Sequence, residues 1–411
     1  MTRARLGVLL IALLAGLPGC IRAPEPEPPA PEPEAFAPAC PNPPPAIDRA
    51  IGPALAEALR GLPTSIEGER QAGGLAGVAV GVVQGQTLVF AAGFGCANLE
   101  RRSPMTPDTV YRIGSLTQVF EATAMMQLRD AGHFRLDDAL ERSVPDVWYR
   151  DAAGARVSPT WRELAAHTSG LPRSVPLGLE TVSHLFRYVQ SRTAASKPGT
   201  RYAFSDLGYV VLGQSLAKVA RLSYHDLMHQ HLFRPLAMES TAFDAGSVDP
   251  ARLAVGYKRL ELEDDGWRGR DASTRVAFPP SGTILSSISD LSRFLMLQFR
   301  RDASAGKPVL AAASVREMWQ PVAATNVEGR SAGLGWFVRP YGRYTLVSKD
   351  GELPGYTTRV QMVPELELGV VAFVNETPRV QRHRGHGVER IARQVLAALL
   401  PALQPAAEAA H

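Results

Sequence analysis

Strand-forming sequence gathers at the two ends of this 411-residue chain, and that distribution limits the fold more than any other feature. Near the start, "LAGVAVGVVQ" (75–84) and "TLVFAAGFG" (87–95) are rich in small and β-branched residues. They flank the turn-like Gln84-Gly85-Gln86 and predict a hairpin. After residue 332 the same signal returns in "GLGWFVRP", "YTLVSKD", "YTTRVQMVP" and "LELGVVAFVN". The middle is helical. Residues 115–131 are nearly all apolar, with charges only at Glu121, Arg129 and Asp130, and Gly132 closes them. A helix apolar on every side is a buried one. Further helices are predicted at 160–167, 179–193, 207–220, 223–231 and 289–301. An opening helix over 47–61 should end at Gly61, before Pro63. A last amphipathic helix over about 386–400 carries Ile391, Val395 and Leu399 as its core stripe. The expected fold is α/β of the α+β kind: one antiparallel sheet formed from N- and C-terminal strands, flanked by helices, with an inserted, mostly helical lobe over about 105–300.

The globular part is expected to begin late. Arg3 and Arg5 precede an apolar run from Leu6 to Leu17, and "LPGC" follows, ending at Cys20. A short basic region, a short apolar stretch and small residues mark residues 1–20 as a signal peptide. A cysteine directly after Leu-Pro-Gly resembles a bacterial lipobox, in which it is lipidated and becomes the first mature residue; an ordinary signal peptide is the alternative. Residues 21–45 are rich in proline, as in "APEPEPPAPEPEAFAPACPNPPP" (23–45), and cannot bury a core. They predict an extended polyproline II tether of about 3.1 Å per residue. The domain is then 46–400, with a disordered tail at 401–411. Together these features place the chain at the cell envelope, lipid-anchored on the periplasmic or extracellular side.

With Cys20 assigned to the lipid, Cys40 and Cys96 remain, in a compartment that permits disulfides. A bridge between them is the expectation, and two free thiols are the alternative. The net charge of +4 falls further when Arg3 and Arg5 leave with the signal, and no run of Lys or Arg marks a nucleic-acid face. His225, His229 and His231 lack a carboxylate motif such as H-E-x-x-H and read as exposed helical histidines, so no metal and no cofactor is called for.

Chemistry concentrates around Ser115. A serine at a helix start is most simply an N-cap. However, "YRIGSLTQVFEATAMMQL" (111–128) resembles the nucleophile segment of the β-lactamase-related serine hydrolases, the group of class C β-lactamases, D-Ala-D-Ala carboxypeptidases and related esterases. Four more segments resemble that family in the same order: "LAAHTSGLP" (164–172), "KPGTRYAFSDLGYVVLG" (197–213), "PPSGTILSSISDLSRFL" (279–295) and "KDGELPGYTT" (349–358). The resemblance implies a penicillin-binding-protein-like fold with Ser115 as nucleophile. It implies Lys349 of a K-x-G stretch on an edge strand beside the serine, its cation attracting a substrate carboxylate. The backbone N–H groups of Ser115 and Glu352 would form the oxyanion hole. Expected ligands are peptidoglycan-like peptides, β-lactams or ester small molecules.

Three departures fall at the centre of this pattern. The family's S-x-x-K lysine is Gln118, its tyrosine is Phe204 and its asparagine is Asp206. In the family the lysine and tyrosine move protons. Gln118 can hydrogen-bond but cannot titrate, and Phe204 has no hydroxyl. Loss of one positioned acid–base group costs about 10²–10⁴-fold, and members of one relay do not add. The leading expectation is therefore a degenerate site, weakly active or inactive, that still binds ligands. The second is an active acyl hydrolase using Ser115 with Asp206 and Lys349. The third is a tethered envelope protein whose surface binds a protein partner. His167, in the "HTSG" stretch, is expected to be structural, and Tyr202 to lie too far along its segment to replace the missing hydroxyl.

Overall fold

The structure, a computed structural model, describes residues 40–48, 51–176, 178–179, 181–259, 267–270, 284–300, 308–377 and 387–403. The signal segment with Cys20, most of the tether, residues 279–283 of the fourth matched segment and the tail beyond 403 lie outside the described residues.

In chain order the strands are β1 (Ala46–Ile47), β2 (Gly77–Gln84), β3 (Thr87–Asn98), β4 (Ser103–Pro104), β5 (Tyr111–Arg112), β6 (Tyr149–Arg150), β7 (Arg156–Val157), β8 (Gly256–Arg259), β9 (Trp267–Arg270), β10 (Leu285–Ser286), β11 (Ala323–Ala324), β12 (Ser331–Ala332), β13 (Phe337–Tyr341), β14 (Tyr344–Leu353), β15 (Tyr356–Val363) and β16 (Leu368–Val374). The helices are α1 (Pro53–Gly73), α2 (Thr117–Asp130), α3 (Trp161–Ala165), α4 (Val182–Gln190), α5 (Asp206–Ala220), α6 (Tyr224–Met228), α7 (Ile288–Phe299), α8 (Ala312–Met318) and α9 (Gly387–Leu403). The main sheet runs β1-β3-β2-β16-β15-β14-β13-β12-β11, every pair antiparallel, with β4 attached to β3. N-terminal and C-terminal strands thus form one sheet, joined where Val371 of β16 faces Gly81 of β2. The other strands pair in twos: β5 with β10, β6 with β7, and β8 with β9.

Side-chain alternation on the central strands builds two cores. On β2, Val78, Val80 and Val82 join Leu59, Ile66, Ile391 and Val395, the buried faces of α1 and α9. Ala79 and Val83 point the other way, into a larger cluster with α2, α5 and α7. β16 repeats the pattern, with Val370, Ala372 and Val374 on one side and Val371 and Phe373 on the other. A strand buried on both faces has no polar side, which is why these segments read as continuous apolar runs. As its composition required, α2 is buried nearly all round, from Thr117 to Met126.

Several boundaries differ from the sequence reading. The opening helix starts later and runs through Pro63 to Gly73, while Ala46–Ile47 form a strand beside β3. The buried stripe Leu55, Leu59, Leu62 and Ile66 outweighs the one backbone bond that Pro63 cannot make. At the other end α9 continues past 400 to Leu403, with Pro401 inside it, so residues 401–403 belong to the fold. The β8–β9 hairpin, inside the expected lobe, and helix α8, after it, were not foreseen. Cys40 and Cys96 are joined by a disulfide, with Cα atoms 5.4 Å apart, which fixes the start of the described chain to β3.

Candidate active site

Two glycines bring the nucleophile segment and β14 together. Gly114 sits at φ +57°, and a Cβ on it would lie 2.6 Å from the Glu352 backbone N. A Cβ on Gly351 would lie 1.8 Å from the Ile113 carbonyl oxygen. Only bare backbone fits at both positions. β13 pairs with β14 as far as Phe337↔Ser348, so on that side β14 is free of its neighbour from Lys349 onward. The Ser115 turn packs against this free stretch, as the resemblance implied for K-x-G.

Ser115 lies in a short 3₁₀ turn, Gly114–Leu116, that leads into α2. The simple cap reading does not apply, because neither the turn nor α2 has a side-chain cap bond. The Ser115 side chain instead lies close enough to the Asp206 carboxylate to help hold its charge. Asp206 is the first residue of α5, where the helix dipole favours an anion. Three bonds place it. Its N–H donates to Arg173 O at 2.9 Å, Ser205 N donates to His167 Nδ1 at 3.1 Å, and Ala203 N donates to His167 O at 2.8 Å. His167 holds φ +57° to do this, a conformation that costs a non-glycine residue about 1 kcal/mol. Burial drives its pKa well below the usual imidazole value, so it is neutral, with Nδ1 as acceptor. The expected structural role of His167 thus has a concrete form.

Gln118 stands one helical turn after Ser115 and faces two ways. Its Oε1 accepts from Lys349 Nζ at 2.5 Å, and its Nε2 donates to Asp206 Oδ1 at 3.1 Å. The amide thus lies between the two charges and bridges them. Lys349 is 1 % exposed, and its ammonium lies 5.2 Å from the ring centres of both Phe204 and Phe337. Burial lowers its pKa to about 8, against the opposing pull of Asp206. The ammonium is buried between an amide oxygen and two rings. Burial pushes the Asp206 carboxyl above the usual range, while Lys349 and Arg173 oppose that rise.

Around this centre the structure adds residues that the sequence did not single out. Arg173 covers Phe204 at 5.1 Å, and Arg330 covers Phe337 at 4.5 Å. Glu121, fully buried in α2, accepts from the Tyr224 hydroxyl at 2.8 Å, and burial pushes its carboxyl well above the usual range. Tyr202 packs with Ala332 and Phe337 instead of filling the place of the missing hydroxyl. His225 stacks on Phe243, and no metal-holding group of His, Cys, Asp or Glu occurs among the described residues. A cleft of about 1120 Å³ lies between α8 and β13, but neither Ser115, Gln118, Asp206 nor Lys349 lines it. It is therefore not the site of this chemistry.

Comparison with known proteins agrees with this arrangement. The Beta-lactamase family model matches residues 60–393. "Beta-lactamase-like protein 2" of Dictyostelium discoideum is 26% identical over 361 residues, covering 81% of this chain and 62% of that one. This chain thus spans less than two thirds of that relative. The "D-alanyl-D-alanine-carboxypeptidase/endopeptidase AmpH" of Escherichia coli (strain K12) is 26% identical over 328 residues, 74% of this chain and 80% of that one. Among solved structures, the octameric penicillin-binding protein homologue from Pyrococcus abyssi superposes with a TM-score of 0.72 at 26% identity, covering 83% of this chain and 77% of that one. A family match over most of the chain, on a fold that presses the Ser115 turn against the Lys349 strand, identifies this chain as a member of the beta-lactamase family of serine hydrolases.

Proposed function

We propose that the protein is a low-turnover acyl hydrolase of the cell envelope in which Ser115 is the nucleophile and Asp206 its general base. One observation carries this reading: the hydrogen-bonded chain Lys349–Gln118–Asp206 ends in a carboxylate whose charge Ser115 helps to hold. Asp206 is the ionisable group in that chain whose charge Ser115 helps to hold. Its desolvation makes it a better base than an ordinary carboxylate. Gln118 holds the carboxylate in place and carries the influence of Lys349 to it without taking up a proton. The backbone N–H groups of Ser115 and Glu352 would receive the developing oxyanion. A carboxylate remains a weaker base than a neutral amine, so turnover should fall below that of relatives with a lysine by about 10²–10⁴-fold.

The named relatives include a carboxypeptidase/endopeptidase, which makes amide and ester bonds of envelope peptides the first substrates to try. Lipidation at Cys20 and the proline-rich tether would keep the domain close to them. The test is hydrolysis of an activated ester by the parent, Ser115→Ala and Asp206→Asn. Asparagine keeps the shape and the hydrogen bonds but cannot take the proton. Loss of about 100-fold or more in both variants is expected. Turnover that survives Asp206→Asn would remove Asp206 from the mechanism, and turnover that survives Ser115→Ala would remove the site altogether. Detergent phase partitioning of the parent and of Cys20→Ala tests the anchor.

A further inference from the structure

We propose that Arg173 and Arg330 form an anion-binding rim over Phe204 and Phe337, selecting acyl ligands that carry a carboxylate remote from the reacting carbonyl. This rests on Ser115 as the reacting centre. It concerns which ligand that centre takes.

Each ring lies against two cations. Lys349 lies 5.2 Å from Phe204 and 5.2 Å from Phe337, and it is buried. Arg173 is exposed over the first ring, and Arg330 is half-buried over the second. Lys349 therefore neutralises charge inside the protein, through Gln118, while the two guanidinium groups meet solvent. A guanidinium held over an aromatic face keeps its N–H edge free and flat, the geometry that forks a carboxylate. Arg173 makes no side-chain hydrogen bond or ion pair to a described residue, and Arg330 makes weak Nε contact at 3.4 Å with Thr325 Oγ1. By contrast, Arg359, Arg162 and Arg129 each hold a carboxylate of the protein itself. Burial raises the pKa of the Tyr202 hydroxyl, and both rim arginines oppose that rise, so their fields overlap at Tyr202. On the inner side stands the Asp206 carboxylate, at the nucleophile. An anionic group is thus repelled next to the reacting carbonyl and attracted a few bonds away from it.

The experiment compares two p-nitrophenyl esters, butyrate and the hemiester of glutarate, whose acyl chains differ by a terminal carboxylate. A ratio of kcat/KM of about tenfold in favour of glutarate is expected at low salt, shrinking as salt is added. In Arg173→Ala/Arg330→Ala the ratio should fall to about one. Reading a ratio cancels any general damage to the site. In parallel, calorimetric titration compares hippurate with its neutral amide on Ser115→Ala. Tighter binding of hippurate, lost in the arginine double variant, supports the rim without any turnover. Equal handling of charged and neutral partners in both assays overturns the rim. A binding preference without Ser115-dependent turnover keeps the rim and overturns the hydrolase reading.

Discussion

Lys349→Met is the most direct probe of the buried charge at the centre of this site. Lys349 loses its proton at about pH 8 in the folded protein, against an ordinary value of 10.5. Between these two values the unfolded chain binds more protons than the folded one, so stability rises with pH across that window. A difference of about 2.5 pH units corresponds to about 3 kcal/mol, nearly all of it recovered by pH 10.5. Methionine has a similar length, carries no charge and suits the two flanking rings. It leaves Gln118 Oε1 without its donor, which costs about 1 kcal/mol and does not vary with pH. Tyr111, Tyr209 and Tyr224, whose hydroxyls burial pushes well above 10, oppose the rise in strongly alkaline solution, but equally in both proteins. The assay is urea unfolding of parent and variant at half-unit steps from pH 7 to 9.5. The parent should gain on the variant by about 2 kcal/mol between pH 8 and 9.5. Parallel curves would mean that Lys349 titrates as it does in water, and the buried Lys349–Gln118–Asp206 chain would not exist as described.

Gln118→Lys with Phe204→Tyr restores both missing acid–base groups, and hydrolysis of an activated ester should rise by about 100-fold over the parent; an unchanged rate would locate the defect elsewhere in the pocket. Gly351→Ala drives a Cβ to 1.8 Å from the Ile113 oxygen, so the thermal midpoint should fall by several degrees and Ser115 should lose its labelling by a fluorophosphonate; an unchanged midpoint would refute the close approach of β14. Reducing the Cys40–Cys96 bridge, whose partners are 56 residues apart, should lower stability by about 2–4 kcal/mol in urea titration, and no change would show that the chain end is not held by it.

Sheet and core were legible in the chain because alternate residues on β2 and β16 must find two different apolar partners, and the two chain ends supply matching strands. The end of α1 was misread because Gly61 and Pro63 are local stop signals. What decides is the distant face of α9, which meets Leu59 and Ile66. A stop signal is a weak preference, and the burial of four large side chains outweighs it. The site divides in the same way. Ser115, Gln118, Asp206 and Lys349 lie inside recognisable segments, and the fold brings those segments together. Arg173 and Phe337 carry no local mark. Their importance arises when the loop before α4 and the start of β13 each lay a side chain beside a ring or ammonium from elsewhere in the chain.

The three departures that the resemblance implies, at 118, 204 and 206, make physical sense as one change. Placing a lysine at 118 beside Lys349 would bring two ammonium groups together in a buried space, a repulsion that a tyrosinate at 204 could relieve. Here a neutral amide replaces one cation, a ring without a hydroxyl replaces the titratable phenol, and an aspartate supplies the counter-charge. The amide is suited to join them, since one end accepts from Lys349 and the other donates to Asp206. Reverting Asp206 alone would leave Lys349 without its largest favourable charge partner, and reverting Gln118 alone would add a second buried cation. The double reversion adds a cation and removes the anion that would offset it, so it should be worse than the sum of the single reversions, and the coupling between positions 118 and 206 in a double-mutant cycle of stability should exceed about 1 kcal/mol. Additive effects at these two positions would show that Gln118 and Asp206 are independent losses rather than one rebuilt centre.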